Sequence, residues 1–164
     1  MTLVLGGARS GKSRHAEALI EAETAPWTYV ATAQGWDDEM RARIAEHRAR
    51  RSDSWRTVDA PLELAATISA HGNTPVLVDC LTLWLTNVML AERDMTTERA
   101  GLVDACRRAA GPLVLVSNEV GFGIVPENAL ARRFRDEAGR LHQELAAIAD
   151  RVVLVVAGIP MRVK

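Results

Sequence analysis

Apolar residues in this chain cluster in short runs that are hydrophobic at consecutive rather than alternate positions, at 3–5, 28–32, 76–78, 113–116 and 152–156. A strand covered on both faces by helices reads this way, whereas a strand with one wet face alternates. Between the runs lie stretches with helical spacing, at about 12–23, 37–51, 62–71, 81–92, 97–109 and 127–149. Gly72-Asn73 and Gly111-Pro112 follow two of them, as helix stops do. A short edge strand near 56–58 is a further possibility. Strands that alternate with helices predict an α/β fold with a mainly parallel sheet and helices on both faces. Ligands of such sheets gather at the carboxyl ends of the strands, so the residues just after each run carry most of the chemical interest.

The first strand is followed by Gly6-Gly7-Ala8-Arg9-Ser10-Gly11-Lys12-Ser13, which fits GxxxxGK[ST] at every defined position. Glycines let the backbone curl until successive N–H groups face phosphate oxygens, and the helix N-terminus adds favourable dipole charge. In such a loop Lys12 reaches the β- and γ-phosphates and the Ser13 hydroxyl ligates Mg²⁺. A glycine-rich turn with an exposed lysine is the bland alternative, and the strand before and helix after argue against it. The fold class is therefore a P-loop NTPase-type (RecA-like) α/β sheet, in one nucleotide-binding catalytic domain spanning 1–164. The run Pro75-Val76-Leu77-Val78-Asp79 ends an apolar strand in a carboxylate, the place where P-loop enzymes hold Mg²⁺ or its water. An Asp after a strand is also a common helix cap; beside a P-loop the metal role is the reading taken.

Composition narrows the class further. With 48% hydrophobic and 25% charged residues, the 164-residue chain can bury a core without disulfide or metal staples. A net charge of -1 argues against a general polyanion binder. Cys80 and Cys106 lack pairing or CxxC spacing, which suits a reducing compartment. No targeting pattern is evident, and the apolar stretch 81–91, broken by Thr82, Thr86 and Asn87, falls short of the ~20 residues that span a bilayer. The expectation is a cytoplasmic protein with no membrane insertion.

In the helical pattern at 37–51, Met40, Ile44 and His47 fall at i, i+4 and i+7, directing the imidazole toward the protein body. Neutral imidazole, with a pKa of ~6.5, is a nucleophile near pH 7. Arg48, Arg50 and Arg51 offer guanidinium donors that match phosphate oxygens. On periodicity alone, a partly buried histidine among solvated arginines is the simpler account. His15, His71 and His142 read as surface or packing residues, and no pair has metal-ligand spacing. The four tryptophans, 27, 36, 55 and 84, are scattered and read as packing. Asn118 and Glu119 follow a strand and should line the active edge; for Glu119 a base, a corrinoid contact and plain loop geometry stand as equal readings.

A resemblance gives these pieces an order. The opening Gly6 to Glu17 resembles that of the bifunctional adenosylcobinamide kinase/adenosylcobinamide-phosphate guanylyltransferase family, and the similarity continues along the chain. It runs through Tyr29-Val30-Ala31-Thr32-Ala33-Gln34, Asp37-Asp38-Glu39-Met40, Arg43-Ile44, His47, Trp55-Arg56-Thr57 and Asp79-Cys80-Leu81-Thr82. It continues through Asn118 to Asn128, Arg132, Phe134-Arg135-Asp136 and Ala157-Gly158-Ile159. The resemblance implies two reactions: phosphorylation of the aminopropanol hydroxyl of adenosylcobinamide, then transfer of GMP from GTP to that phosphate. It implies a GMP-histidine intermediate on His47, with Mg²⁺ as cofactor and adenosylcobinamide, GTP and ATP as substrates. It places Thr32, Ala33, Gln34, Arg48, Ala49, Arg50, Arg51, Asp59 and Asp79 on nucleotide-contacting positions. Asp59 and Asp79 stand where glutamate is expected, each one methylene shorter. It also implies a homo-oligomer, a trimer; the net charge argues separately against a nucleic-acid partner.

Three other functions compete. A P-loop kinase of another small molecule would lack the covalent histidine. A nucleotide-dependent switch protein would want a guanine-reading NKxD element, which is not evident. A nucleic-acid module is suggested by arginines 41, 43, 48, 50, 51 and 56 but weakened by Asp37, Asp38, Glu39 and Glu46 among them.

Overall fold

A computed structural model describes residues 1–35, 38 and 51–164. Its elements run β1 (Thr2–Gly6), α1 (Lys12–Glu21), β2 (Trp27–Ala31), β3 (Trp55–Asp59), α2 (Leu64–His71), β4 (Val76–Asp79), α3 (Leu81–Leu90), α4 (Met95–Arg108), β5 (Leu113–Asn118), α5 (Ala129–Ile148), β6 (Arg151–Val156) and β7 (Ile159–Arg162). The expected helix at 37–51 lies outside the described residues apart from Asp38 and Arg51.

Among the described residues the strands form one seven-stranded sheet in the order β3-β2-β4-β5-β1-β6-β7. Every pairing from β3 to β6 is parallel, with Leu3 of β1 opposite Leu115 of β5 and Val152 of β6. The strand expected near 56–58 is β3, an outer strand beside β2. The sequence reading missed β7, which turns back antiparallel on β6. Its side chains are exposed and it contains Pro160, so it carries none of the apolar run that marks its neighbours.

The consecutive apolar residues divide between the two faces, as the pleat requires. Leu3, Val76, Val78, Leu113, Leu115 and Val152 pack with α2, α3, α4 and α5. Val4, Leu77, Val114, Val116, Val153 and Val155 pack with Ala16 and Ile20 of α1. The sequence foretold helices on both faces but not this uneven split. Helix ends follow local chemistry: Asp94 accepts from the Thr97 N–H at 2.9 Å and Asn128 from the Ala131 N–H at 3.1 Å. Gly72 closes α2, and its carbonyl accepts from the N–H of Gly111 at 2.7 Å, so the two expected stops meet. Helices α4 and α5 are joined by Arg99, which pairs with Glu137 and reaches Glu144 at 3.3 Å.

Residues at the two ends of the chain lie together at the amino edge of the sheet. The Met1 amino group pairs with Asp150, the Asp150 N–H donates to the Met1 carbonyl at 3.0 Å, and Val152 donates to the Lys164 carbonyl at 3.3 Å.

Candidate active site

At the opposite, carboxyl edge, β1 runs into the P-loop. Arg9 and Gly11 take positive φ of 55° and 93°, and Gly11 is the residue from which α1 starts. Glycine adopts that conformation freely. Crowding adds a second requirement: a Cβ on Gly6 would lie 2.5 Å from Ser10 Oγ and 2.7 Å from the Val155 carbonyl oxygen. Lys12 is buried, and its ammonium donates to the Gly7 carbonyl at 3.1 Å, so the cation lies across the loop. Ser10 Oγ is buried and has no hydrogen-bond partner among the described residues. A buried hydroxyl left so is unfavourable, and a bound phosphate would satisfy it.

Ala157-Gly158 belongs to the resemblance, but its place in the site shows only in three dimensions. These two residues turn β6 into β7 with φ of 50° and 80°, and the Gly158 N–H donates to the Ser10 carbonyl at 2.8 Å. Consecutive positive φ values are the mark of a type I′ hairpin turn. The tip of the hairpin thus rests on the P-loop, with Gly158 Cα 3.2 Å from where a Gly11 Cβ would be. The signal was present as a glycine two residues after the apolar run 152–156.

Asp79 ends β4, and β5 separates that strand from β1. The first residue outside α3 is Cys80, with no side-chain cap, so Asp79 is not the cap that a strand-end aspartate can be. Its Oδ2 accepts from the Tyr29 hydroxyl at 3.1 Å. Burial, and next the Asp79 charge, push the Tyr29 phenol well above its ordinary range, so it stays protonated and donating. The Arg51 guanidinium lies 3.6 Å over the Tyr29 ring, a cation–π contact at the border of the 39–50 segment. The peptide between Asp79 and Cys80 is cis. Burial, then the Asp79 charge, raise the Cys80 thiol to about 11, which keeps it neutral.

The predicted nucleotide residues fall into separate groups. Gly6 to Ser13, Thr32, Ala33, Gln34, Asp59 and Asp79 all stand at or just past the carboxyl ends of β1, β2, β3 and β4. Thr32 is fully buried; its hydroxyl donates to the Cys80 carbonyl at 2.7 Å and accepts from the Cys80 N–H at 2.9 Å. Its own carbonyl takes the Asn87 amide at 2.8 Å. Those bonds commit Thr32 to splicing β2 onto the β4–α3 junction, which leaves half-exposed Ala33 and Gln34 as the surface a nucleotide would meet. His47, Arg48, Ala49 and Arg50 lie outside the described residues.

On β5, the Asn118 amide donates to Thr82 Oγ1 at 2.8 Å and Glu119 donates its N–H to the Gly6 carbonyl at 3.0 Å. The Glu119 carboxylate accepts from the Gly121 N–H, so it shapes its own loop. Behind it, His142 Nε2 meets Ser117 Oγ at 2.7 Å; burial lowers the imidazole pKa, against a smaller opposing pull from Glu119. His142 is the packing residue its sequence suggested. Trp84 and Trp55 are buried, and Trp27 packs at a tilt of 56° against Trp55 with centroids 5.3 Å apart, so these tryptophans pack as expected; Trp36 lies outside the described residues.

Comparison with known proteins fits this geometry. The sequence profile of the family described as cobinamide kinase / cobinamide phosphate guanyltransferase matches residues 2–163. The bifunctional adenosylcobalamin biosynthesis protein CobP of Pseudomonas aeruginosa is 51% identical over 166 residues, covering 99% of this chain and 96% of that protein. Its counterpart CobU of Escherichia coli is 47% identical over 181 residues, covering 100% and 99%. Among solved structures, an ATPase of a bacterial type III secretion system superimposes with a TM-score of 0.58 at 12% identity, over 93% of this chain and 50% of that one. That likeness shows the fold alone. A match along nearly the whole chain, with the P-loop and the strand-end carboxylate in place, shows that the chain belongs to the cobinamide kinase / cobinamide phosphate guanyltransferase family.

Proposed function

We propose that this chain performs both family reactions at one sheet edge, with the P-loop holding the triphosphate and His47 carrying GMP between donor and acceptor. In the first reaction a nucleoside triphosphate phosphorylates the aminopropanol hydroxyl of adenosylcobinamide. The P-loop N–H groups and Lys12 hold the phosphates in line and offset the charge of the transferring group, which is most of what phosphoryl transfer asks of a protein. Mg²⁺ suits the oxygen donors present: the Ser13 hydroxyl and the Asp79 carboxylate, of whose several acceptor positions Tyr29 uses one. When bound, the ion supplies charge neutralisation at the phosphates.

In the second reaction His47 attacks the α-phosphate of GTP and releases pyrophosphate; the corrinoid phosphate then takes the GMP and frees the imidazole. The observation that carries this reading is Arg51 stacked on Tyr29, whose hydroxyl holds Asp79. His47 precedes Arg51 by four residues in the sequence. Ala33, Gln34 and Asp59 border the same edge and are assigned to the nucleotide.

Incubation with α-labelled GTP, without corrinoid, tests the scheme. The protein should acquire an acid-labile, base-stable GMP label that His47→Ala loses while keeping kinase activity. Full labelling of folded His47→Ala, or an adduct mapped elsewhere, would sink the histidine assignment.

The chain is further assigned to the cytoplasm; none of the helices among the described residues is long and apolar enough to cross a membrane. A homo-oligomer, a trimer, is supported by the exposed Val156, Ile159, Met161 and Val163 along the β6–β7 edge, an apolar stripe of the kind that subunit contacts cover. Sedimentation that finds an active monomer at assay concentration would refute it.

A further inference from the structure

Between β5 and α5 the chain makes a loop whose large side chains point into water. Phe122 is 83% exposed, Ile124 97% and Val125 58%, and Leu130 on the first turn of α5 is 54% exposed. Single exposed apolar residues are ordinary, but a run of them at a ligand-binding edge marks a contact surface. The loop is also a built structure. Its root is tied to the P-loop strand by the Glu119-to-Gly6 hydrogen bond, and its far end is pinned where Arg132 donates to the Pro126 carbonyl at 2.9 Å.

Helix α5 raises this loop above the sheet. His142 is level with Ser117 near the end of β5, and the buried residues of α5 begin only at Glu137. Ala129 therefore stands about 20 Å along the helix axis from His142, at 1.5 Å per residue. The first two turns of α5 and the loop form a wall beyond the carboxyl edge. Phe122 follows Glu119 by three residues, so its Cα is within about 11 Å of that of Glu119, which in turn touches Gly6. The wall is thus beside the phosphate end of the nucleotide site, where the acceptor must present its hydroxyl.

We propose that Phe122, Ile124 and Val125 are acceptor-binding residues that receive the apolar flank of the corrin macrocycle while its aminopropanol arm reaches the P-loop. The inference rests on the acceptor being a corrinoid. The acceptor arm is small and flexible, whereas the macrocycle is broad and carries ring methyls among the amide side chains of its rim, so part of the surface it offers is apolar. Gly121 and Gly123 keep the flanks of the Phe122 ring low, which lets a broad, flat ligand approach. The exposed apolar residues of β7 lie on the outer edge of the sheet, two strands beyond β1, and are the face proposed above for subunit contact.

The test uses the full chain with Phe122→Ala/Ile124→Ala, and with Ile124→Asp alone, a site so exposed that the fold does not depend on it. Cobinamide binding is read by ultrafiltration from the corrin's own visible absorbance, beside KM for cobinamide and for ATP. A fourth readout is phosphorylation of N-acetyl-1-amino-2-propanol, the acceptor arm without its macrocycle. Both variants should bind cobinamide about tenfold or more weakly, the scale set by losing a buried apolar side chain. Their KM for ATP and their turnover of the truncated arm should match the parent. Unchanged cobinamide affinity would overturn the proposal. So would an equal loss with the truncated arm, or a loss that disappears at high protein concentration together with a change in sedimentation, which would mark the wall as a subunit contact instead.

Discussion

Three glycines around the P-loop separate backbone strain from crowding, because the structure gives each a different mixture. Gly158 has φ 80° and open space where a Cβ would go, so Gly158→Ala meets only the left-handed conformational penalty, about 1 kcal/mol. Gly11 has φ 93° and the Gly158 Cα 3.2 Å from its added Cβ, so crowding joins the same penalty and the sum is about 2 kcal/mol. An added Cβ on Gly6 meets the Val155 carbonyl at 2.7 Å, and that backbone oxygen moves only with β6, which implies about 3 kcal/mol. For a domain of this size each kcal/mol lowers Tm by about 2–4 °C. Denaturant midpoints followed by tryptophan fluorescence should therefore fall in the order Gly158→Ala, Gly11→Ala, Gly6→Ala. Function should split from stability: KM for ATP stays within about twofold in Gly158→Ala and rises at least tenfold in the other two, whose changes reach the phosphate-binding backbone. If Gly158→Ala harms stability as much as Gly6→Ala, or Gly6→Ala proves neutral, the account of how the hairpin supports the loop is wrong.

Further outcomes follow from other contacts. Lys12→Ala should abolish triphosphate-dependent activity with an unchanged circular-dichroism spectrum; near-normal turnover would remove Lys12 from the phosphate site. Tyr29→Phe deletes the donor to Asp79, a hydrogen bond to a charged group worth about 1.5–3 kcal/mol, so the Mg²⁺ needed for half-maximal rate should rise about tenfold; a Mg²⁺ titration showing no change would detach Tyr29 from metal binding. His142 and His15 both have pKa values lowered chiefly by burial. The unfolded chain takes up their protons first, so stability is full above the unfolded value of ~6.5 and declines as pH falls below it. Urea midpoints between pH 5 and 8 should show that decline, reduced in His142→Gln, and a pH-independent midpoint would contradict the burial argument.

How much the sequence discloses depends on how local each feature is. Strands buried on both faces write themselves as unbroken Val and Leu runs, and the P-loop needs only eight consecutive residues, so both were legible. β7 was not, since Ile159-Pro160-Met161-Arg162 is exposed on an outer edge and held by pairing with β6 rather than by burial. The links inside the site were hidden for a similar reason. Tyr29 meets Asp79 across 50 positions and Thr32 meets Cys80 across 48, pairings set by β2 lying beside β4, and no spacing rule reaches that far. Thr32 shows the consequence: the resemblance marked it for the nucleotide, and no spacing announced that its hydroxyl also bonds both backbone groups of Cys80.

The adjacency of residues 1 and 164 has a practical consequence. Met1 is fastened to Asp150 and Lys164 to Val152, at the edge of the sheet away from the P-loop. A short Gly-Ser splice between the two would close the backbone into a ring without crossing the catalytic edge, and the ring could be reopened in the exposed turn at Glu92 between α3 and α4. Such a circular permutant would keep β1, β5 and β6 side by side, with the splice on the side of the sheet opposite the P-loop.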